Sequence, residues 1–132
     1  MTAVSLNSFT RLEDTRVLIV EDEPFIAIDL AQAVEAAGGV VVGPASTLAQ
    51  ALALIESSVL EAAILDVNLP DGHIGPVLES LRRHVAVVIH SGVGLPNEVS
   101  ERFPQVPVFF KPTRAEVLIR RLFCLRRQAP AK

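Results

Sequence analysis

The stretch Val17-Leu18-Ile19-Val20-Glu21-Asp22-Glu23-Pro24 decides the fold. Four apolar residues end abruptly in three acids, and a proline then opens a segment of helical period. A continuously apolar run, rather than an alternating one, fits a strand covered on both faces, as in a parallel sheet. Pro24 suits the first turn of a helix. The apolar positions Ile26, Leu30 and Val34 carry that helix to a stop at Gly38-Gly39. The unit is therefore strand, acidic rim, helix.

The same unit recurs outward along the chain. Further apolar runs are Val40-Val41-Val42, Ala62-Ala63-Ile64-Leu65, Val85-Ala86-Val87-Val88-Ile89 and Val106-Pro107-Val108-Phe109-Phe110. Between them lie helix candidates. One opens at Thr47 with Gln50 as a capping box and a stripe of Leu48, Leu52 and Ile55. Another follows Gly75-Pro76, with Val77, Leu78 and Leu81. A short one lies near Asn97 to Phe103, between Pro96 and Pro104. The last opens with a second capping box, Thr113 to Glu116, and runs through Leu118, Leu122 and Leu125. Strands joined by helical crossovers are parallel, with right-handed connections. The expected fold is α/β: a doubly wound (βα)5 three-layer sandwich around a five-stranded parallel sheet. A flexible N-terminal arm is expected over 1–15, a single domain over 16–127 and a C-terminal tail over 128–132.

Composition bounds the function. A chain of 132 residues with a formal net charge of −3 offers no overall basic field for nucleic acid or anionic lipid. Half of it is hydrophobic and a fifth charged, enough to build a core and too apolar for a disordered chain. The lone Cys124 excludes an intramolecular disulfide framework and a multi-cysteine metal site. The apolar runs are too short to span a bilayer, which needs about 20 residues. No signal peptide is visible in residues 1–10, so the expectation is a reduced, cytoplasmic protein without membrane or DNA partners.

In an open parallel sheet, ligands bind beyond the C-terminal strand ends, where strand order reverses. The residues that follow the runs are Glu21, Asp22 and Glu23, then Asp66, then Ser91 (preceded by His90), then Lys111. Clustered carboxylates raise one another's pKa or recruit a cation. Hard oxygen ligands suit Mg²⁺ or Mn²⁺. Carboxylate, cation, ammonium and hydroxyl together suggest handling of a phosphoryl group, with an Asp able to act as nucleophile. Taken singly, each residue has an ordinary structural reading: a solvated acidic loop, a turn at Asp66, a Ser91-Gly92 turn, a surface lysine before a helix. The signal is their coincidence at successive rim positions.

These stretches, with Ile64-Leu65-Asp66-Val67-Asn68-Leu69-Pro70-Asp71-Gly72, Ser91-Gly92 and Lys111-Pro112, resemble the response-regulator receiver domain of two-component signalling. The resemblance covers about residues 16 to 127 and implies the flavodoxin-like receiver fold. It implies that Asp66 is the phosphoacceptor. It implies metal ligation by Asp22, by Glu21 through water, by Asp66 and by the backbone carbonyl of Asn68, with Mg²⁺ or Mn²⁺ bound. Ser91 matches the switch hydroxyl and Lys111 the lysine that pairs with the acceptor and then with a phosphoryl oxygen. The implied partners are a sensor histidine kinase or phosphotransfer protein and a separate downstream protein. A homodimer through the face of the fourth helix, fifth strand and fifth helix is a further expectation. The module is expected to signal rather than to act as an enzyme.

Three features depart from the common pattern. Val108 stands where many receivers carry a Tyr or Phe that turns inward on activation. The region from Ser91 to Pro107 is compressed and rich in Pro and Gly. Gly72 and Gly75 are placed differently after Asp66. These features are similar to the receiver subgroup called FAT GUY, whose strand motif would fall on Ile89-His90-Ser91-Gly92-Val93. That subgroup is associated with alphaproteobacterial signalling. Two rivals remain at this level: a receiver-like interaction module that no longer uses phosphate, and a Mg²⁺-dependent aspartyl phosphatase. The second would want a general acid where Asn68 stands.

Other polar residues read as structural. His90 is expected to point away from Ser91 by strand alternation. His73 and His84 read as loop and helix-end residues without ligand spacing. Cys124, seven residues after Val117, is expected to be a small buried hydrophobe, and Phe109 and Phe110 are expected in the core. The basic segment from Lys111 to Lys132 reads first as a solvated helix face and second as a partner surface.

Overall fold

A computed structural model describes residues 11–128. Five strands form one parallel sheet in the order β2-β1-β3-β6-β7: β1 (Arg16–Val20), β2 (Val40–Ala45), β3 (Ala62–Leu65), β6 (Ala86–Ser91) and β7 (Val108–Phe110). Five helices alternate with them: α1 (Pro24–Ala36), α2 (Leu48–Ser57), α3 (Gly75–Ser80), α4 (Asn97–Arg102) and α5 (Ala115–Gln128). The expected (βα)5 sandwich is what forms. A short antiparallel ribbon, β4 (Asn68–Leu69) with β5 (Gly72–His73), was not anticipated from the sequence.

The continuous apolar runs explain the layers. Successive strand side chains point to opposite faces, so each run feeds two cores. Val17, Ile19, Ala62, Ile64, Ala86 and Val88 pack with α1 and α5 through Leu30, Val34, Leu118 and Leu122. Leu18, Val20, Ala63, Leu65 and Ile89 pack on the other face with Ala51 of α2, Val77 and Leu78 of α3 and Val99 of α4. Each fully buried Leu or Ile contributes about 1.5–3 kcal/mol of transfer free energy.

The helix ends follow local chemistry, with two corrections. Glu23 caps α1 by accepting from the Phe25 N–H at 3.0 Å, and Gly38, at φ 91°, closes that helix with the backbone conformation that glycine adopts most readily. Thr47 caps α2 by accepting from the Gln50 N–H at 3.1 Å. Gln50 returns not to Thr47 but to the N–H of Ser46, at 2.8 Å, so the box is displaced by one residue. The Thr113 box does not form, because the Thr113 hydroxyl donates to the Phe110 carbonyl instead.

Three further expectations are corrected. The N-terminal arm does not extend to residue 15. Leu12 is 1% exposed in the α1–α5 core, and its N–H donates to Ala37 O at 2.8 Å. The rest of the expected arm, residues 1–10, lies outside the described residues, as do residues 129–132 of the expected tail; Gln128 is the last residue of α5. On α2 the expected stripe of Leu48, Leu52 and Ile55 does pack against the second core, half-buried around the fully buried Ala51. Phe110 is 60% exposed at the end of edge strand β7, and only Phe109 packs against a core. Cys124 is exposed. Its spacing from Val117 was right, but Val117 is itself exposed; the buried stripe of α5 is Ala115, Leu118, Ile119 and Leu122.

Candidate functional site

The strand order reverses between β1 and β3, since the chain goes from β1 to β2 on one side and returns to β3 on the other. That is where a doubly wound sheet opens a crevice at its C-terminal rim. Glu21 follows β1 and Asp66 follows β3. Their main chains continue the sheet: Glu21 N–H donates to Ala45 O at 2.9 Å, and Asp66 N–H donates to Val20 O at 2.8 Å. The rigid sheet therefore fixes where both carboxylates stand.

Glu21, Asp22 and Asp66 each place a carboxylate oxygen within 4.8 Å of the others. Glu21 and Asp66 are buried and Asp22 is exposed, so the cluster is open on one side. Three hard oxygen donors at this spacing suit a small divalent cation. Lys111, just past β7, lies between the two buried acids, with Nζ 2.9 Å from Glu21 Oε1 and 3.1 Å from Asp66 Oδ2. The other oxygen of Asp66 accepts the Val67 N–H at 2.8 Å. That bond fixes the carboxylate's orientation and leaves Oδ2 on the open, Lys111 side.

The electrostatics follow from burial. Burial pushes the Glu21 carboxyl above its ordinary range; the Lys111 and Glu23 hydrogen bonds oppose this without cancelling it, and the negative charge of Asp66 adds to it. Burial pulls Lys111 down, but its hydrogen bonds to Glu21 and Asp66 and their charges outweigh this, and it sits above the ordinary lysine value. Lys111 is therefore a firm cation at neutral pH.

Ser91 closes β6 and is buried. Its carbonyl accepts the Lys111 N–H at 2.9 Å, which ties the two rim residues together through the main chain. Its hydroxyl oxygen accepts the Val93 N–H at 3.2 Å, which leaves the hydroxyl hydrogen available to a ligand oxygen. Asn68, two residues beyond Asp66, is exposed at the start of β4 opposite His73. The structure thus brings Glu21, Asp22, Asp66 and Lys111 into one cluster, sets Ser91 beside it, and leaves Asn68 on the flanking ribbon.

His90 is buried, with Nε2 3.4 Å from the Thr113 backbone nitrogen. Burial and then the charge of Lys111 hold its pKa below the ordinary value, against a smaller opposing effect of Asp66. His84 is also buried, its Nε2 3.0 Å from Leu60 O, and His73 Nδ1 accepts the Gly75 N–H at 3.1 Å. Structural readings of His73 and His84 fit these contacts, although His73 lies in β5 rather than a loop and His84 is a buried anchor in the turn before β6 rather than a helix-end residue. Asp71 has a role the sequence did not reveal. Its carboxylate accepts from Leu48 N–H at 2.7 Å and Ala49 N–H at 3.1 Å, and these bonds hold its pKa below the ordinary carboxylate value. It caps α2 from across the fold, and a cap 23 residues away carries no local signature.

Known proteins agree with this architecture. Residues 17–119 match the response regulator receiver domain family. Over 62 residues, 46% of this chain, the sequence is 44% identical to the phyllosphere-induced regulator PhyR of Methylorubrum extorquens. The match spans only 23% of that protein's length. A CheY-like receiver domain protein from Methanospirillum hungatei superposes with a TM-score of 0.76 at 27% identity, covering 86% of this chain and 95% of that one. A mutant of the anti-anti-sigma factor PhyR from Bartonella quintana superposes with a TM-score of 0.73 at 23% identity, covering 93% of this chain and 52% of that one. With the family match extending over most of its length and the acidic rim where such a sheet places a ligand, the chain belongs to the response regulator receiver domain family.

Proposed function

We propose that this receiver accepts a phosphoryl group on Asp66 from the phosphohistidine of a sensor histidine kinase or phosphotransfer protein, in a Mg²⁺-dependent (or Mn²⁺-dependent) reaction, and signals by protein–protein contact. The observation that carries the reading is the convergence of Glu21, Asp66 and Lys111: a buried acid, a buried acceptor and a cation within hydrogen-bond reach of both. Asp22, Glu21 and Asp66 would hold the cation, with the Asn68 carbonyl as a further ligand. When bound, the ion neutralises charge on the phosphoryl oxygens.

The residues divide the work. An Asp66 carboxylate oxygen forms a bond to phosphorus as the bond from phosphorus to the imidazole nitrogen breaks, and the imidazole leaves with the electron pair. Lys111 then moves its ammonium from the acceptor carboxylate to a phosphoryl oxygen. The Ser91 hydroxyl donates to another. The added charge draws the chain after β6 inward and biases the surface formed by α4, β7 and α5. Val108 occupies the position of the usual inward-turning aromatic and is half-buried against the core, so here the shift passes through the main chain of the β6–α4 segment. Asn68 stands where a phosphatase would need an acid and cannot donate as one, which favours a signalling role over turnover. The same surface is the site of any homodimer, and the module works in the cytoplasm.

Phosphotransfer profiling tests this reading. The purified protein is incubated with a panel of phosphorylated sensor kinases and Mg²⁺. Rapid loss of label from one kinase, with transfer absent in Asp66→Ala, is the expected result. Label retained by every kinase, or transfer to Asp66→Ala, overturns it.

A further inference from the structure

At the N-terminal end of β6, away from the acidic rim, a groove of about 500 Å³ opens. Its walls include Leu81, Val87, Phe103, Val106 and Leu125, all half-buried. The cause is the length of α4. Six helical residues cover about 9 Å, whereas the six residues of β6 extend about 20 Å. Of α4, only its C-cap residue Phe103 reaches the groove wall. Among the described residues, Val85, Val87 and Val106 on this side are left half-buried rather than fully covered.

The rim is charged with one sign. Arg82, Arg83 and Arg121 line the groove, and among the described residues no acid does. All three are exposed, and none has an acidic partner among the described residues. Neighbouring cations are engaged: Arg102 pairs with Glu79, and Arg127 lies over the Phe123 ring at 5.7 Å. In a chain of net charge −3, three unpaired guanidiniums around an apolar floor form a local positive patch.

We propose that this groove docks an acidic amphipathic helix from a partner protein. A helix about 10–12 Å across fits the place that a longer α4 would roof. Its apolar stripe meets the half-buried floor, and flanking Asp or Glu side chains meet the three arginines, whose planar forks suit carboxylates. The groove sits at the opposite end of β6 from Ser91, and through Phe103, Arg121 and Leu125 it borders the α4–β7–α5 surface of the proposed function, while its apolar floor and arginines are present without phosphorylation.

The test uses designed helical peptides with one Leu stripe, flanked by Glu in one and by Lys in the other, titrated into the full chain and read by backbone amide NMR and fluorescence anisotropy. The Glu peptide is expected to bind and to perturb the amides of Val87, Phe103 and Leu125. Its affinity is expected to fall about tenfold in the Arg83→Glu/Arg121→Glu variant and to weaken with added salt. A variant with Arg83→Gln alone, milder for folding, is expected to give an intermediate loss. Acyl-phosphate formation on Asp66 should be unchanged in both variants. Equal binding of the Lys peptide, perturbation elsewhere, absence of binding, or self-association lost on the same charge reversal (a second copy as the occupant) would each overturn the proposal.

Discussion

The ammonium of Lys111 stands 3.1 Å from an Asp66 carboxylate oxygen although 45 residues separate the two. The sheet creates that contact. Asp66 leaves β3 and Lys111 leaves β7, and β6 lies between them in the sheet. The Lys111 cation thus reaches across one strand to a buried carboxylate, and under the proposed function a phosphoryl group on Asp66 would give it a new oxygen to follow.

Lys111→Ala tests this contact. Removing the cation leaves two buried acids facing each other, which destabilises the ion-free protein by about 1–3 kcal/mol. Mg²⁺ binding should survive, since all three clustered carboxylates remain. The conformational response to phosphorylation, read as amide shifts in α4 and β7, should be blunted. An unchanged response would remove Lys111 from its assigned part.

Glu21→Gln separates stability from function. Burial raises the folded-state pKa of Glu21 above its unfolded value of 4.5, so the folded chain holds this proton more tightly. The charged form is the disfavoured one, and its contribution to stability falls as pH rises through the window above 4.5. At neutral pH without metal, Glu21→Gln should therefore melt higher than the parent, and the gap should close as pH falls toward that window. Mg²⁺ affinity should drop. Thermal denaturation across pH, with and without Mg²⁺, measures both; a lower metal-free melting point at pH 7 would contradict the burial argument.

Leu12→Ala tests where the fold begins. Leu12 is fully buried beneath α1, so truncation should cost about 2–5 kcal/mol in chemical denaturation. A loss below about 0.5 kcal/mol, as at an ordinary surface site, would return residues 11–15 to a loose arm.

The strand runs and the rim chemistry were legible because parallel strands must be apolar on both faces and because function requires polar residues at their ends. Asp22, Asp66 and Lys111 could be found that way without any tertiary information. What stayed hidden depends on contacts across the fold. Leu12 sits in a polar stretch, and only the packing of α1 shows that it is core. Asp71 reads as a turn residue until its carboxylate is seen on the α2 N-terminus. Cys124 and Phe110 were assigned inward by spacing and hydrophobicity, but an edge strand and the last helix each keep one face to solvent.

Helix α4 should be the loosest element of the sandwich. It has six residues and no side-chain cap. Isolated helices of that length are unstable, and tertiary packing here rests on Val99. Hydrogen exchange at Ser100 and Phe103 should exceed that at Ile64 of β3 by about tenfold or more. Comparable protection would show that α4 is held as firmly as the sheet.

Under the proposed function Asp66 carries a labile acyl phosphate within a cation-binding acidic cluster. Intact-protein mass spectrometry after incubation with a small phosphodonor and Mg²⁺, with the adduct located by peptide mapping, tests it most directly. One added phosphoryl group is expected on the peptide containing Asp66, absent without divalent cation and absent in Asp66→Ala. An adduct that persists in Asp66→Ala, or none at all with donor and Mg²⁺ in excess, would contradict it.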